Sequence, residues 1–150
     1  MCGIVGYIGN GLAKEIIIDG LKRLEYRGYD SAGIALYLDH AVQVTKCAGR
    51  IRNLETATAD KEYDSHIGIG HTRWATHGAP TDVNAHPHSN MDGTIAVVHN
   101  GIIENYVELR EWLSREYGVR FRSETDSEVI AHLIDIYYDG DLMDAVYKAL

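Results

Sequence analysis

Apolar positions along this chain switch between two periods, and the switches mark out its elements. Residues 2–8 form an apolar run that predicts a first strand. Residues 12–27 carry Leu12, Ile16, Ile17, Leu21 and Leu24 at helical spacing, which predicts a helix with one buried side that stops at Gly28. Residues 32–38 predict a second strand, and Asp39-His40 a tight turn after it. Val42 and Val44 alternate with Gln43 and Thr45 in a third strand. Residues 52–59 read as a short helix, and residues 67–74 and 94–99 as further strands. An amphipathic helix over residues 106–117 ends at Gly118, and residues 119–122 read as a short strand. Thr125 and Glu128 spell a capping box for a helix to about residue 138. Asp141 caps one more helix, still running at Leu150. The one long irregular stretch, residues 77–93, holds both prolines. A loop of that length in a compact domain is usually functional or mobile.

Composition narrows the function classes. The 150 residues fit one domain. A net charge of −8 argues against a nucleic-acid partner, because phosphate binding rests on clustered Lys and Arg. No apolar run is long enough to span a bilayer, and the N-terminus lacks the basic-then-apolar pattern of a secretory signal. Cys2 and Cys47 are therefore expected as free thiols in a reducing cytoplasm.

The candidate chemistry begins at the second residue. Methionine is usually trimmed when a small residue follows, so Cys2 can become the first residue, with a thiol and a free α-amine together. An unperturbed thiol titrates near about 8.5 and an α-amine near about 7.7–8.0, close enough for the amine to act as base for the thiol. The alternative is a buried Cys opening the first strand.

Residues 70–78 place Arg73, Trp74, Thr76 and His77 at a strand end. Arg73 offers a planar fork for a carboxylate, Thr76 and His77 could bond the same anion, and Trp74 could cover it. An ordinary surface ion pair is the alternative for Arg73. At residues 97–101 an apolar strand runs into Asn100 and Gly101. These offer a side-chain NH2 and an unobstructed backbone N–H, the two donors an oxyanion needs, or else a simple Asn-Gly turn. Asp126 either complements a helix dipole or holds a ligand ammonium. His71, His77, His86, His88 and His99 crowd one region, but without the paired spacing of a zinc site, so no metal and no cofactor is expected. Cys47 lies in an alternating strand and reads as a core or surface thiol.

Six motifs in order carry a resemblance over the whole chain: Met1-Cys2-Gly3-Ile4-Val5-Gly6, the stretch from Leu24 through Tyr-Arg-Gly-Tyr-Asp-Ser to Gly33, residues 70–78, Asn84-Ala85-His86-Pro87-His88, His99-Asn100-Gly101 with the residues to Asn105, and Ser123-Glu124-Thr125-Asp126. Together they resemble the class II glutamine amidotransferases, and most of all the glutaminase domain of the glucosamine-6-phosphate synthases. The resemblance implies an α+β, N-terminal-nucleophile hydrolase fold, a four-layer αββα sandwich. It implies that Cys2, freed of Met1, attacks the side-chain amide of L-glutamine to give L-glutamate and ammonia, with its own amine as base and acid. It implies an oxyanion hole at Asn100 and Gly101, a carboxylate clamp at Arg73, Thr76 and His77, an ammonium site at Asp126, and Trp74 on a closing loop. The parent enzymes pass the ammonia to fructose 6-phosphate, and the resemblance implies a homodimer for such a parent.

The sequence departs from that family in stopping at Leu150, with the sugar-phosphate isomerase half absent. The expectation is a C-terminally incomplete sandwich, residues 1–150 being the N-terminal portion of the glutaminase domain, with one sheet short of strands and a tendency to self-associate. Two function classes follow: a glutamine-hydrolysing domain, or a non-catalytic fragment that binds glutamine, glutamate or a partner chain. The glutaminase of an amidophosphoribosyltransferase is a third reading that differs only in the acceptor.

Overall fold

The computed structural model describes residues 2–74 and 78–150. Four strands, β1 (Gly3–Ile8), β2 (Ser31–Leu38), β3 (Ala41–Ala48) and β4 (Ile67–Arg73), form an antiparallel sheet in the order β1-β4-β2-β3. The β2–β3 hairpin closes through Asp39 and His40, both at positive φ (51° and 62°). Two such residues give the turn a twist that matches the strands it joins.

Two helices, α1 (Ala13–Leu24) and α2 (Ile51–Thr58), cover one face of this sheet. Ile17, Leu21, Ile34, Leu36, Ile51 and Leu54 are fully buried between them. On that face β4 presents Gly68 and Gly70. A Cβ at Gly70 would run into Ile17 and crowd Leu21, and one at Gly68 would crowd Leu36 and Ile17. The absence of side chains there lets α1 approach the sheet closely.

The buried stripe of α1 differs from the sequence expectation. Ala13, Ile17, Ile18 and Leu21 face the core, whereas Leu12 and Ile16 stay about 40 % exposed. The helix meets the sheet along the 13-17-21 row, and Leu12 and Ile16 lie on its flank. The helix also ends at Leu24, with one further 3-10 turn over Glu25–Arg27. Gly28 stops it in extended backbone, packed against the Arg73 main chain, rather than in a left-handed cap.

On the other side lies a small second sheet, β5 (His88–Ser89) paired with β6 (Ala96–Val97), backed by α4 (Glu128–Tyr137). Helices α3 (Tyr106–Tyr117) and α5 (Leu142–Ala149) complete that layer around Leu113, Val129, Ile130 and Ile134. Gly118 ends α3 at φ 66°, and Asp141 caps α5 by accepting the Asp144 N–H at 3.1 Å. The layers run helices, sheet, sheet, helices, the αββα order expected. Among the described residues no helix is long and apolar enough to cross a membrane.

Three local expectations fail in this second layer for one reason. Residues 94–99 pair as a strand only over Ala96–Val97, because the Thr94 and Ile95 N–H groups donate to Asn90 Oδ1 instead. Residues 119–122 make no strand: the Arg120 N–H donates to Met91 Sδ and the Arg122 N–H to Glu128 Oε1. The Thr125–Glu128 capping box does not form. Glu128 turns back to the Arg122 and Ser123 N–H groups at 2.8 and 2.7 Å, and Ser127 precedes α4 without a side-chain cap. In each case a side chain, buried Asn90 or Glu128 or the exposed Met91, takes the role of a strand neighbour or a cap.

Candidate active site

Alternation along β4 separates two environments. Gly68 and Gly70 face α1, so His71 and Arg73 face the second layer, where they are 1 % and 5 % exposed. The end of β4 therefore delivers Arg73 and Trp74 beside Cys2, which precedes the adjacent strand β1. Cys2, Arg73, Trp74, Asn100, Gly101 and Asp126 line one cavity of about 410 Å³, a volume in the range of small-molecule sites. Thr76 and His77 lie outside the described residues.

The Cys2 sulfur accepts the Trp74 backbone N–H at 3.2 Å and its thiol faces the Trp74 carbonyl at 3.7 Å, so the side chain is held against the end of β4. Asn100 Nδ2 donates to the Cys2 carbonyl at 3.3 Å, which brings the amide directly beside the cysteine. The Asn-Gly pair lies between β6 and α3 and so closes no hairpin. A Cβ on Gly101 would sit 2.6 Å from His99 Nε2, so a larger residue there would displace the ring that bonds Ser127. Arg73 donates to the Ala79 and Gly78 carbonyls at 3.2 and 3.4 Å, which fixes the guanidinium at the cavity wall. Trp74 is half-exposed and meets Tyr29 edge to face at 5.4 Å.

Asp126 is buried, and its Oδ2 accepts the Ile103 N–H at 2.8 Å. The Ser127 hydroxyl donates to its Oδ1 at 3.3 Å and so receives the His99 Nδ1 proton at 3.0 Å. Both donors fix the orientation of the Asp126 side chain at the cavity wall. A second ordered chain lies behind it. Ser123 Oγ donates to Glu128, leaving Thr125 Oγ1 to donate to Ser123 (2.9 Å) and His88 Nε2 to donate to Thr125 (2.9 Å). Burial pushes the Glu128 carboxyl up, but the neighbouring His132, the two backbone N–H groups and the Ser123 hydroxyl together hold it well below the usual carboxylate range.

Three imidazoles stand between the sheets. His71 stacks on His86 at 4.2 Å with ring planes 20° apart, and His86 meets His88 at 4.4 Å. Burial is the main force lowering all three: His71 to about 4, His88 to about 3, and His86 further still, with the other imidazoles adding to its shift. All three are neutral at pH 7. Gly33 of β2 admits the loop that carries His86, since a Cβ there would run into the His86 carbonyl. Cys47 lies in β3 away from the cavity, its thiol pushed up by burial and by Asp82.

Sequence reasoning missed His71, His99, Ser127 and Arg27 as parts of this site. Arg27 and His71 line the cavity, and His99 and Ser127 hold Asp126. The available signal was the strand alternation itself, which puts His71 on the same face as Arg73.

Residues 38–140 match the glutamine amidotransferase domain family. The whole chain is 61 % identical to the glutamine–fructose-6-phosphate aminotransferase (isomerizing) of Clostridium tetani and 62 % identical to that of Aquifex aeolicus, covering 24 % and 25 % of their lengths. It thus spans about a quarter of the curated relatives it matches. Two solved structures share its fold at 29 % identity. One, described as the allosteric regulatory enzyme of purine biosynthesis, has a TM-score of 0.82; the other, glutamine phosphoribosylpyrophosphate (PRPP) amidotransferase from B. subtilis complexed with ADP and GMP, has 0.77. In both, the match covers 99 % of this chain and 32 % of the other. The α+β layering is that of the N-terminal-nucleophile amidotransferases, and the chain belongs to the glutamine amidotransferase domain family.

Proposed function

We propose that this domain hydrolyses the side-chain amide of L-glutamine at Cys2. The observation that carries the reading is the convergence of Cys2, Asn100, Gly101, Arg73 and Asp126 on one cavity from four separate segments. After loss of Met1, the Cys2 thiol gives its proton to its own α-amine and the sulfur bonds to the amide carbon. The oxyanion so formed takes hydrogen bonds from Asn100 Nδ2 and the Gly101 N–H. Collapse expels ammonia with the proton from the ammonium, and water cleaves the thioester to glutamate. Arg73, with Thr76 and His77, holds the substrate carboxylate, Asp126 holds its ammonium, and Trp74 covers the bound amino acid.

Identities of 56–62 % to the fructose-6-phosphate enzymes, against 29 % to the purine enzymes, favour glucosamine 6-phosphate as the destination of the ammonia in a longer parent protein, acting as a homodimer in the cytoplasm. Two free thiols support a reducing compartment.

A glutamine analogue bearing an electrophilic diazoketone tests the core of this reading. Mass spectrometry should find it on Cys2 and not on Cys47, only in chains that have lost Met1. Cys2→Ala should abolish glutamate release. Labelling of Cys47 alone, or equal labelling with Met1 retained, would leave a non-catalytic binding fragment as the better account.

A further inference from the structure

The oxyanion donor assigned to Asn100 has a weakness: a side-chain amide can turn by half a rotation. One orientation aims NH2 at the developing negative charge, and the other aims a carbonyl at it and repels it. Asn100 is exposed, so packing alone does not choose between them. Something rigid has to.

We infer that His71 is the positioning residue that fixes the Asn100 amide in its donating orientation. This rests on the proposed glutaminase reading of the site. His71 Nε2 lies 2.8 Å from Asn100 Oδ1, while Nδ2 of the same amide donates to the Cys2 carbonyl at 3.3 Å. With Oδ1 as acceptor, the shared proton belongs to His71 Nε2. Tautomer and amide orientation therefore lock each other. A proton on Nδ1 instead would make Nε2 an acceptor and pull the Asn100 NH2 away from Cys2.

The surroundings of His71 hold that tautomer. Its Nδ1 is buried without a hydrogen-bond partner among the described residues. A proton there would be an unpaired buried donor, which costs more than an unpaired lone pair. The ring itself cannot swing. It is 1 % exposed, stands on β4 level with Ile4 of β1 and Gly33 of β2, and is stacked on His86. His71 touches no substrate in this account; it acts through Asn100.

Three measurements on the Met1-free chain test the inference. First, the long-range 1H–15N spectrum of the imidazoles should show His71 protonated at Nε2 and bare at Nδ1; the opposite tautomer would overturn the assignment whether or not the chain is active. Second, His71→Leu removes the donor and should lower kcat about 10- to 100-fold, below the full loss of an oxyanion donor at about 10²–10³-fold, with KM for glutamine nearly unchanged. His71→Gln, which keeps an N–H near Nε2, should recover most of that loss; equal kcat in wild type and both variants would refute the role. Third, glutamate γ-semialdehyde forms a tetrahedral adduct with the Cys2 thiol and glutamate does not. His71→Leu should weaken the aldehyde in step with kcat and leave glutamate affinity unchanged. A loss of both together would mean a general structural role. If wild type neither releases glutamate nor captures the aldehyde, the glutaminase reading fails, and the tautomer spectrum still decides whether His71 orients Asn100.

Discussion

The two layers of this domain are held by different means. In the first, strands β1 to β4 satisfy one another through a continuous ladder, and α1 and α2 seal them with Ile17, Leu21, Leu36 and Leu54. In the second, many backbone donors end on buried side chains: Thr94 and Ile95 on Asn90, Ile103 on Asp126, Arg122 and Ser123 on Glu128, and Glu124 on Asn84. Apolar burial is non-directional and tolerant, whereas each of these hydrogen bonds is specific and costly to break. The candidate cavity borders the second kind of construction. Donors that must point in fixed directions come from a scaffold made of fixed directions.

Acid should separate the layers most. His71 and His88 titrate below the ordinary value of about 6.5, and His86 is lowered in the same sense. Below about 6.5 the unfolded chain binds protons that the folded chain refuses. The stability these neutral rings confer is complete above that pH and is lost as pH falls toward the folded values. Each contributes about 1.4 kcal/mol per pH unit across its window. Urea midpoints should drop steeply between pH 6.5 and 4.5, with amide exchange rising first in residues 84–128 and later in β1 to β4. A flat profile, or loss of the first sheet first, would break the contrast.

Leu21→Ala attacks the other layer. A fully buried leucine should cost about 2–5 kcal/mol on truncation, read as a shifted denaturation midpoint at pH 7. The reactivity of Cys2 in the folded fraction should stay near that of wild type. Reactivity that falls as far as stability would show the two layers to be a single unit.

Glu128→Gln is the finer probe. The carboxylate accepts from two backbone N–H groups and a hydroxyl, and an amide cannot accept all of them. A loss of about 1–3 kcal/mol is expected, and the share of stability that the Glu128 carboxyl loses as pH falls from about 4.5 toward 2 should disappear from the acid profile. A neutral substitution would mean that water replaces the carboxylate easily.

Legibility in the sequence followed the same division. The β2–β3 turn at Asp39-His40, the end of α3 at Gly118 and the cap of α5 at Asp141 are local signals, and the structure agrees with them. Residues 119–122 and the Thr125–Glu128 box mislead because their partners, Met91 and the turned-back Glu128, are chosen by tertiary contact rather than by spacing. Within the site, the chemical types at Cys2, Arg73, Asn100, Gly101 and Asp126 were readable, and the cavity gathers them. Alternation along β4 could place His71 on the Arg73 face, but its bond to Asn100 spans 29 positions and leaves no trace in the sequence.

The missing side chains at Gly68 and Gly70 act as a spacer set to zero. Cys2 continues from β1, β1 is clamped to β4 from Gly3 opposite Thr72, and α1 bears on both strands. A methyl at residue 70 would wedge against Ile17 and drive helix and strand apart. The strain would travel along β1 to its first residue. The gap between the Cys2 sulfur and the Asn100 amide is thus gauged partly by an empty strip on the far side of the sheet, so drift at these glycines would detune the proposed hydrolysis while leaving both of those side chains intact.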